Sequence, residues 1–166
     1  GVAKLYAYHL ARVYRETHGL FCCSGILYNH ESYRRGEDHV ARKITRGIAR
    51  ILTGEQDTIA LGRLEARRDW GYAPDYIEVM WRLLQRDTPE DVVLGTGEDH
   101  AVADFVDVAF GYVGLRQEGR LTTDPQQFRT SDATVLRADH SKVTRLLGWT
   151  PRLSFEELVK VLVDVD

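Results

Sequence analysis

The 166 residues are 43% hydrophobic and 28% charged, which bounds the chain as one globular domain, or one large piece of a domain, able to bury a core. A net charge of −3 supplies no general basic field for nucleic acid or an anionic membrane, so no nucleic-acid partner is expected and any anion site must be local. No apolar run approaches the roughly 20 residues that span a bilayer, and the N-terminus lacks the order of a signal peptide, so the sequence reads as cytoplasmic with no membrane partner.

The first residues, Gly1-Val-Ala-Lys-Leu-Tyr-Ala-Tyr-His-Leu-Ala, carry a helical pattern with no start signal before them, which reads as a chain that opens in mid-helix and lacks an upstream portion. Leu5, Tyr8, Ala11, Val13 and Tyr14 fit one face of a helix ending near Gly19, and Phe21 to Tyr28 reads as a strand. Cys22 and Cys23 are adjacent in that run. They cannot form an ordinary framework disulfide and are expected as two buried free thiols, in keeping with a reducing compartment.

A polar loop is expected from Asn29 to Asp38, followed by a helix carrying Val40, Ile44, Ile48 and Ile51 and stopped at Gly54. Thr58 to Leu61 reads as a short strand and Ala66 to Gly71 as a second loop. Asp75 to Leu84 reads as a helix with Ile77, Met80, Trp81 and Leu84 spaced for burial and Asp75 in its first turn. Asp91 to Gly95 has the pattern of a buried strand, and Val102 to Val113 that of an amphipathic helix closed by Gly114. Leu115 to Gln127 is polar and weakly patterned. Val135-Leu136 is expected as strand, Ser141 to Leu147 as a short helix, and Ser154 to Val163 as a last helix begun by a Ser-Phe-Glu-Glu cap. The alternation is α/β, and the order of elements suits the last strands of a parallel nucleotide-binding sheet plus a small mixed α/β substrate-binding lobe.

Three constellations carry candidate chemistry. Arg34, Arg35, Arg42, Lys43, Arg46 and Arg50 crowd one loop and helix of an acidic chain, which is either a solvated basic face or a local anion site. Arg67-Arg68-Asp69-Trp70-Gly71 lies where the edge of a sheet would meet a ligand, and is equally a way to pin a loop. Phe128-Arg129-Thr-Ser-Asp132 offers a guanidinium for phosphate or ribose and a carboxylate for a base edge, or forms a surface turn. Lys4 by itself reads as a helix-surface lysine. His9, His18, His39, His100 and His140 show no metal-ligand spacing, so no metal site is expected.

Taken together, Val-Ala-Lys-Leu-Tyr-Ala-Tyr, Tyr-Asn-His-Glu-Ser with Arg-Arg-Gly-Glu, Arg-Arg-Asp-Trp-Gly-Tyr-Ala-Pro-Asp-Tyr, Phe-Arg and Leu-Gly-Trp-Thr-Pro, in that order, resemble GDP-mannose 4,6-dehydratases of the extended short-chain dehydrogenase/reductase group. The resemblance runs through nearly all of residues 1–166 and implies the C-terminal part of a Rossmann-type sheet, with a GDP-mannose substrate, NADP as cofactor and a homo-oligomer of two or four chains. Lys4 falls on the lysine of the family's Tyr-Xaa-Xaa-Xaa-Lys motif, where its ammonium would bond the nicotinamide ribose and lower the pKa of the tyrosine. That tyrosine, the glutamate and the Thr or Ser of the catalytic group, and the glycine-rich turn, are expected upstream.

His30 and Arg35 fall on NADP contacts, and Arg34-Arg35 on a loop that in relatives also reaches a neighbouring subunit's cofactor site. Asn29, Arg68 and Arg129 correspond to contacts near phosphate or ribose, and Val40, Lys43 and Asp132 to contacts near guanine. Tyr33 and Thr130 stand where the family has proline, Asp132 where it has glutamate, and the Leu115 to Asp124 connection is shorter than in relatives. Other nucleotide-sugar epimerases, reductases or dehydratases, and a non-catalytic nucleotide-sugar-binding module, are the alternatives. Competition between GDP and UDP discriminates among the enzymes.

Overall fold

The first helix, α1 (Val2–His18), ends where Gly19 adopts a left-handed φ of 63° and returns its N–H to the Tyr14 carbonyl, the conformation that glycine reaches without a Cβ clash. In this computed structural model, which describes residues 1–128 and 136–166, α1 buries no residue at all. Its tie to the rest of the molecule is Arg15, whose guanidinium donates to both carboxylate oxygens of Asp91 at 2.9 Å and to the Cys22 carbonyl at 2.8 Å. Asp91 also accepts the Ser24 N–H at 2.7 Å. These contacts occupy the backbone that the sequence pattern assigned to a long strand. The strand β1 is therefore only Gly25–Leu27, and Cys22 and Cys23 lie ahead of it as half-buried free thiols, not as buried strand residues.

The expected polar loop after β1 begins with a strand, β2 (Asn29–Glu31), before α2 (Val40–Leu52), β3 (Ile59–Leu61), β4 (Arg67–Arg68), β5 (Trp70–Tyr72) and α3 (Ala73–Leu83). There follow β6 (Val92–Leu94), β7 (His100–Ala101), α4 (Val102–Tyr112), β8 (Leu121–Thr123), a 3-10 turn over Pro125–Gln127, α5 (Ser141–Leu147) and α6 (Phe155–Asp164). Four two-stranded ladders result: β1 with β6, β2 with β5 and β3 with β8 run parallel, and β4 with β7 antiparallel. Five of these eight strands, β2, β4, β5, β7 and β8, went unread because two or three residues are too few to show a period. Leu136 is not in a strand, and Val135, with Arg129 and Asp132, lies outside the described residues.

Two cores hold the elements. Ile44, Ile48, Phe105, Ala109, Phe110, Leu158 and Val159 from α2, α4 and α6 close on Ile59, Leu61 and Trp70. Tyr76, Val79 and Leu83 of α3 close with Val92, Leu94, Val143 and Trp149 in the other. This corrects the expected inner face of α3: Ile77, Trp81 and Leu84 are exposed, Trp81 by 63%. With apolar residues on most of its circumference, the helix carries no single stripe to fix its rotation, and Tyr76 takes the inner position. The cap of α6 forms as read, with the Glu157 N–H reaching Ser154 Oγ at 3.2 Å and the Ser154 N–H reaching Glu157 Oε2 at 2.8 Å. Among the described residues no helix is long and apolar enough to cross a membrane.

Asp69 ties the link between β4 and β5 to the turn that follows β6. Its side chain is fully buried, yet Oδ1 accepts from the Thr96 N–H at 2.7 Å and Thr96 Oγ1 at 2.8 Å. Oδ2 accepts from the Gly97 and Ala138 N–H groups at 2.9 and 3.0 Å. Gly95 permits this packing, since a Cβ there would sit 2.3 Å from that of Ala138. Of the two readings of Arg-Arg-Asp-Trp-Gly, the carboxylate carries the loop pin.

Candidate functional site

Strand β2 pairs with β5 in the register Asn29 to Trp70, His30 to Gly71 and Glu31 to Tyr72. Successive side chains of a strand point to opposite faces. Asn29 and Glu31 accordingly face a cavity of about 440 Å³, while His30 turns away, its Nδ1 2.9 Å from the Tyr28 carbonyl and its ring 5.7 Å from that of Tyr76. The first turn of α2 forms another wall, where Val40 and Lys43, three residues apart, share a face. Arg35, Arg63 and Arg68 complete a lining of four cations with Lys43, against the carboxylates of Glu31 and Asp38. Four cations beside a helix N-terminus suit a compact dianion such as a diphosphate.

The basic cluster of the sequence divides in two. Arg42 pairs with Asp166 at 2.8 Å, Arg46 with Glu37 at 3.3 Å and Asp166 at 3.5 Å, and Arg50 with Glu37 at 2.7 Å. Arg34 is exposed and rests against the Tyr33 ring, 5.6 Å from its centre. Only Arg35 and Lys43 of the six turn toward the cavity. Arg68 donates to the Arg67 carbonyl at 2.6 Å, and Arg67 holds the Asp99 carboxylate and carbonyl. Lys4 lies exposed on α1, apart from the cavity lining. Phe128, the residue before Arg129, lies on the cavity wall under the Arg63 guanidinium at 4.9 Å.

Sequence reasoning missed Glu31, whose side chain is 2% exposed. Burial pushes its carboxyl above the ordinary range, and the nearby Arg35 and His39 only partly oppose this. Arg35 Nε lies 3.4 Å from its Oε2, and no donor among the described residues makes a hydrogen bond to that oxygen. The signal was the two-residue spacing from Asn29, which becomes visible once Asn29–Glu31 is read as strand. Gln127, bonded to Lys43 at 2.8 Å, had no sequence signal. Among the described residues no cluster of three His, Cys, Asp or Glu is arranged to hold a metal.

The model of the GDP-mannose 4,6-dehydratase family matches residues 1–162. The chain belongs to that family. It is 50% identical over 153 residues to GDP-mannose 4,6 dehydratase 1 of Arabidopsis thaliana, covering 92% of this chain and 42% of that protein. With the GDP-mannose 4,6 dehydratase of Homo sapiens it shares 42% identity over 183 residues, covering 100% of this chain and 49% of that protein. The chain thus spans about half the length of these relatives. Among solved structures, RMD from Pseudomonas aeruginosa complexed with NADPH superposes with a TM-score of 0.86 at 19% identity, over 99% of this chain and 54% of that one. The UDP-glucose 4-epimerase of Thermotoga maritima with UDP-glucose gives 0.82 at 22%, over 99% and 52%. At such identities the likeness is one of fold: an α/β chain of the Rossmann-type dehydratases and epimerases. For this dehydratase-family chain, Asn29, Arg35, Val40, Lys43 and Arg68 are the expected site residues that one cavity gathers. Lys4, His30 and Arg34 stand outside its lining, and Arg129 and Asp132 are not among the described residues.

Proposed function

We infer that the full-length protein carrying this chain converts GDP-mannose to GDP-4-keto-6-deoxymannose, and that this chain is its C-terminal, substrate-gripping portion. The observation that carries the reading is the convergence of Asn29, Val40, Lys43 and Arg68 on one cation-lined cavity in a member of the dehydratase family. Arg68 and Asn29, with Arg129, hold the diphosphate and ribose. Val40 packs on the guanine, and Lys43 and Asp132 meet its polar edge, the ammonium at acceptors and the carboxylate at N–H donors.

The cofactor of this reading is NADP. Arg35 Nε is buried with no hydrogen-bond acceptor among the described residues and Arg34 is exposed next to it, a donor set that fits the anionic edge of a dinucleotide. Lys4 and His30 complete the contacts. When bound, such a cofactor would supply a hydride acceptor for sugar C4 and a hydride donor for C6, so that the net change would be loss of one water with no net oxidation. The part of this chain's residues is to bind and orient a single sugar. In this reading Arg34, which is exposed, contacts a second copy of the chain in a dimer or tetramer.

The test is turnover of GDP-mannose by the full-length protein with added NADP⁺, read as a 4-keto product lighter by one water. Lys43→Met is expected to raise KM about tenfold with kcat little changed, the signature of a lost binding contact. Equal competition by GDP and UDP, or no dehydrated product, sinks the assignment.

A further inference from the structure

The Lys43 ammonium is not left to find the ligand by itself: Nζ donates to Gln127 Oε1 at 2.8 Å. The Gln127 amide has one orientation open to it. Its Nε2 donates to Asp124 Oδ2 at 2.8 Å and to the Ala60 carbonyl at 3.4 Å, both acceptors. Turned over, the amide would set its oxygen against a carboxylate and its NH₂ against an ammonium. Asp124 is fixed in turn. Its Oδ1 accepts the Gln126 N–H at 2.9 Å, and its own N–H donates to the Leu61 carbonyl at 2.8 Å. Hydrogen bonds from Gln127 and Gln126 hold its carboxyl below the usual range, with Lys43 adding to the effect. Gly62, just after β3, allows the close approach, because a Cβ there would lie 3.1 Å from the Gln127 carbonyl oxygen.

We propose that Asp124 and Gln127 form a positioning relay for Lys43: the carboxylate orients the amide, the amide oxygen holds one ammonium N–H, and the other two are presented to acceptors of the bound nucleotide. A lysine has many rotamers, and one fixed before binding loses less freedom when the ligand arrives. Gln127 is thus a positioning residue acting through Lys43. The proposal rests on the reading of Lys43 as a nucleotide contact.

The experiment is a double-mutant cycle in the full-length protein, with GDP affinity as the readout and thermal melting as the control. Gln127→Leu is expected to weaken GDP about fivefold in the parent protein and less than about twofold in the Lys43→Met background. Asp124→Leu removes the acceptor that orients the amide, and is expected to weaken GDP in the parent protein and to matter less than about twofold in the Lys43→Met background. Equal effects of Gln127→Leu in both backgrounds, or no effect in the parent, overturn the relay while leaving Lys43 in the site. A Lys43→Met protein that binds GDP normally removes the reading of Lys43 itself, and the relay with it.

Discussion

Two buried carboxylates lie on adjoining elements and could hardly be treated more differently. Asp69, between β4 and β5, is wholly enclosed and takes four donors. Glu31, at the end of β2, is nearly as enclosed but has an Oε2 that no described donor bonds, with Arg35 at 3.4 Å. A buried charge is tolerated when donors replace the water it has lost, and is a liability otherwise. The satisfied carboxylate belongs to the framework. The under-satisfied one faces the cavity, where a ligand rich in hydroxyl and N–H donors would complete it.

The comparison breaks most directly at Asp69. Asp69→Ala strands four donors and leaves a void at a fully buried position, and is expected to lower stability by about 3–5 kcal/mol. A denaturant melt of the full-length protein checks this. A loss under about 1 kcal/mol would mean that the four bonds are not what joins β5 to the Thr96 turn.

The same division runs through the cations of α2, one step smaller in effect. Arg42 and Lys43 are neighbours in sequence, but Arg42 faces the fully buried Asp166 carboxylate and Lys43 the cavity. Arg42→Met is expected to reduce stability by about 2 kcal/mol, since Thr45 and Arg46 still reach Asp166 and part of the pairing survives. GDP affinity should change less than about twofold. A tenfold loss of GDP affinity without a change in melting would move Arg42 into the site and undo the contrast with Lys43.

How legible all this was in the sequence follows from length and period. The helices were readable because ten or more residues display a stripe, as Ile44, Ile48 and Ile51 do on α2, or because a cap marks the start, as Ser154 and Glu157 do for α6. Strands of two or three residues are too short to display a period, so β2, β4, β5, β7 and β8 were invisible and Glu31 passed for a loop residue. The six cations looked equivalent, because the acids that engage three of them, Glu37 and Asp166, come from the preceding loop and from the end of the chain. What singled out Asn29, Val40, Lys43 and Arg68 was family resemblance. Their convergence on one cavity needed the β2–β5 pairing, which no local pattern encodes.

The smallest expected effect tests Glu31, and its sign is the informative part. Burial raises its folded-state pKa above the unfolded value, so the folded state holds the proton more tightly than the unfolded chain does. The carboxylate therefore lowers stability progressively as pH rises from the ordinary value of about 4.3 through the raised one. Glu31→Gln keeps the shape and removes the titration. Relative to the parent, its stability should be near equal below pH ~4 and higher at neutral pH, a difference that appears as pH rises. GDP-mannose binding should move the other way, weakened by about fivefold or less as a charged acceptor becomes a neutral one. Asp69 behaves otherwise: its replacement removes stability, and any loss of binding follows from unfolding. If Glu31→Gln instead lowered stability at neutral pH, the Arg35 contact would outweigh the burial of the charge. Glu31 would then belong with Asp69 to the framework.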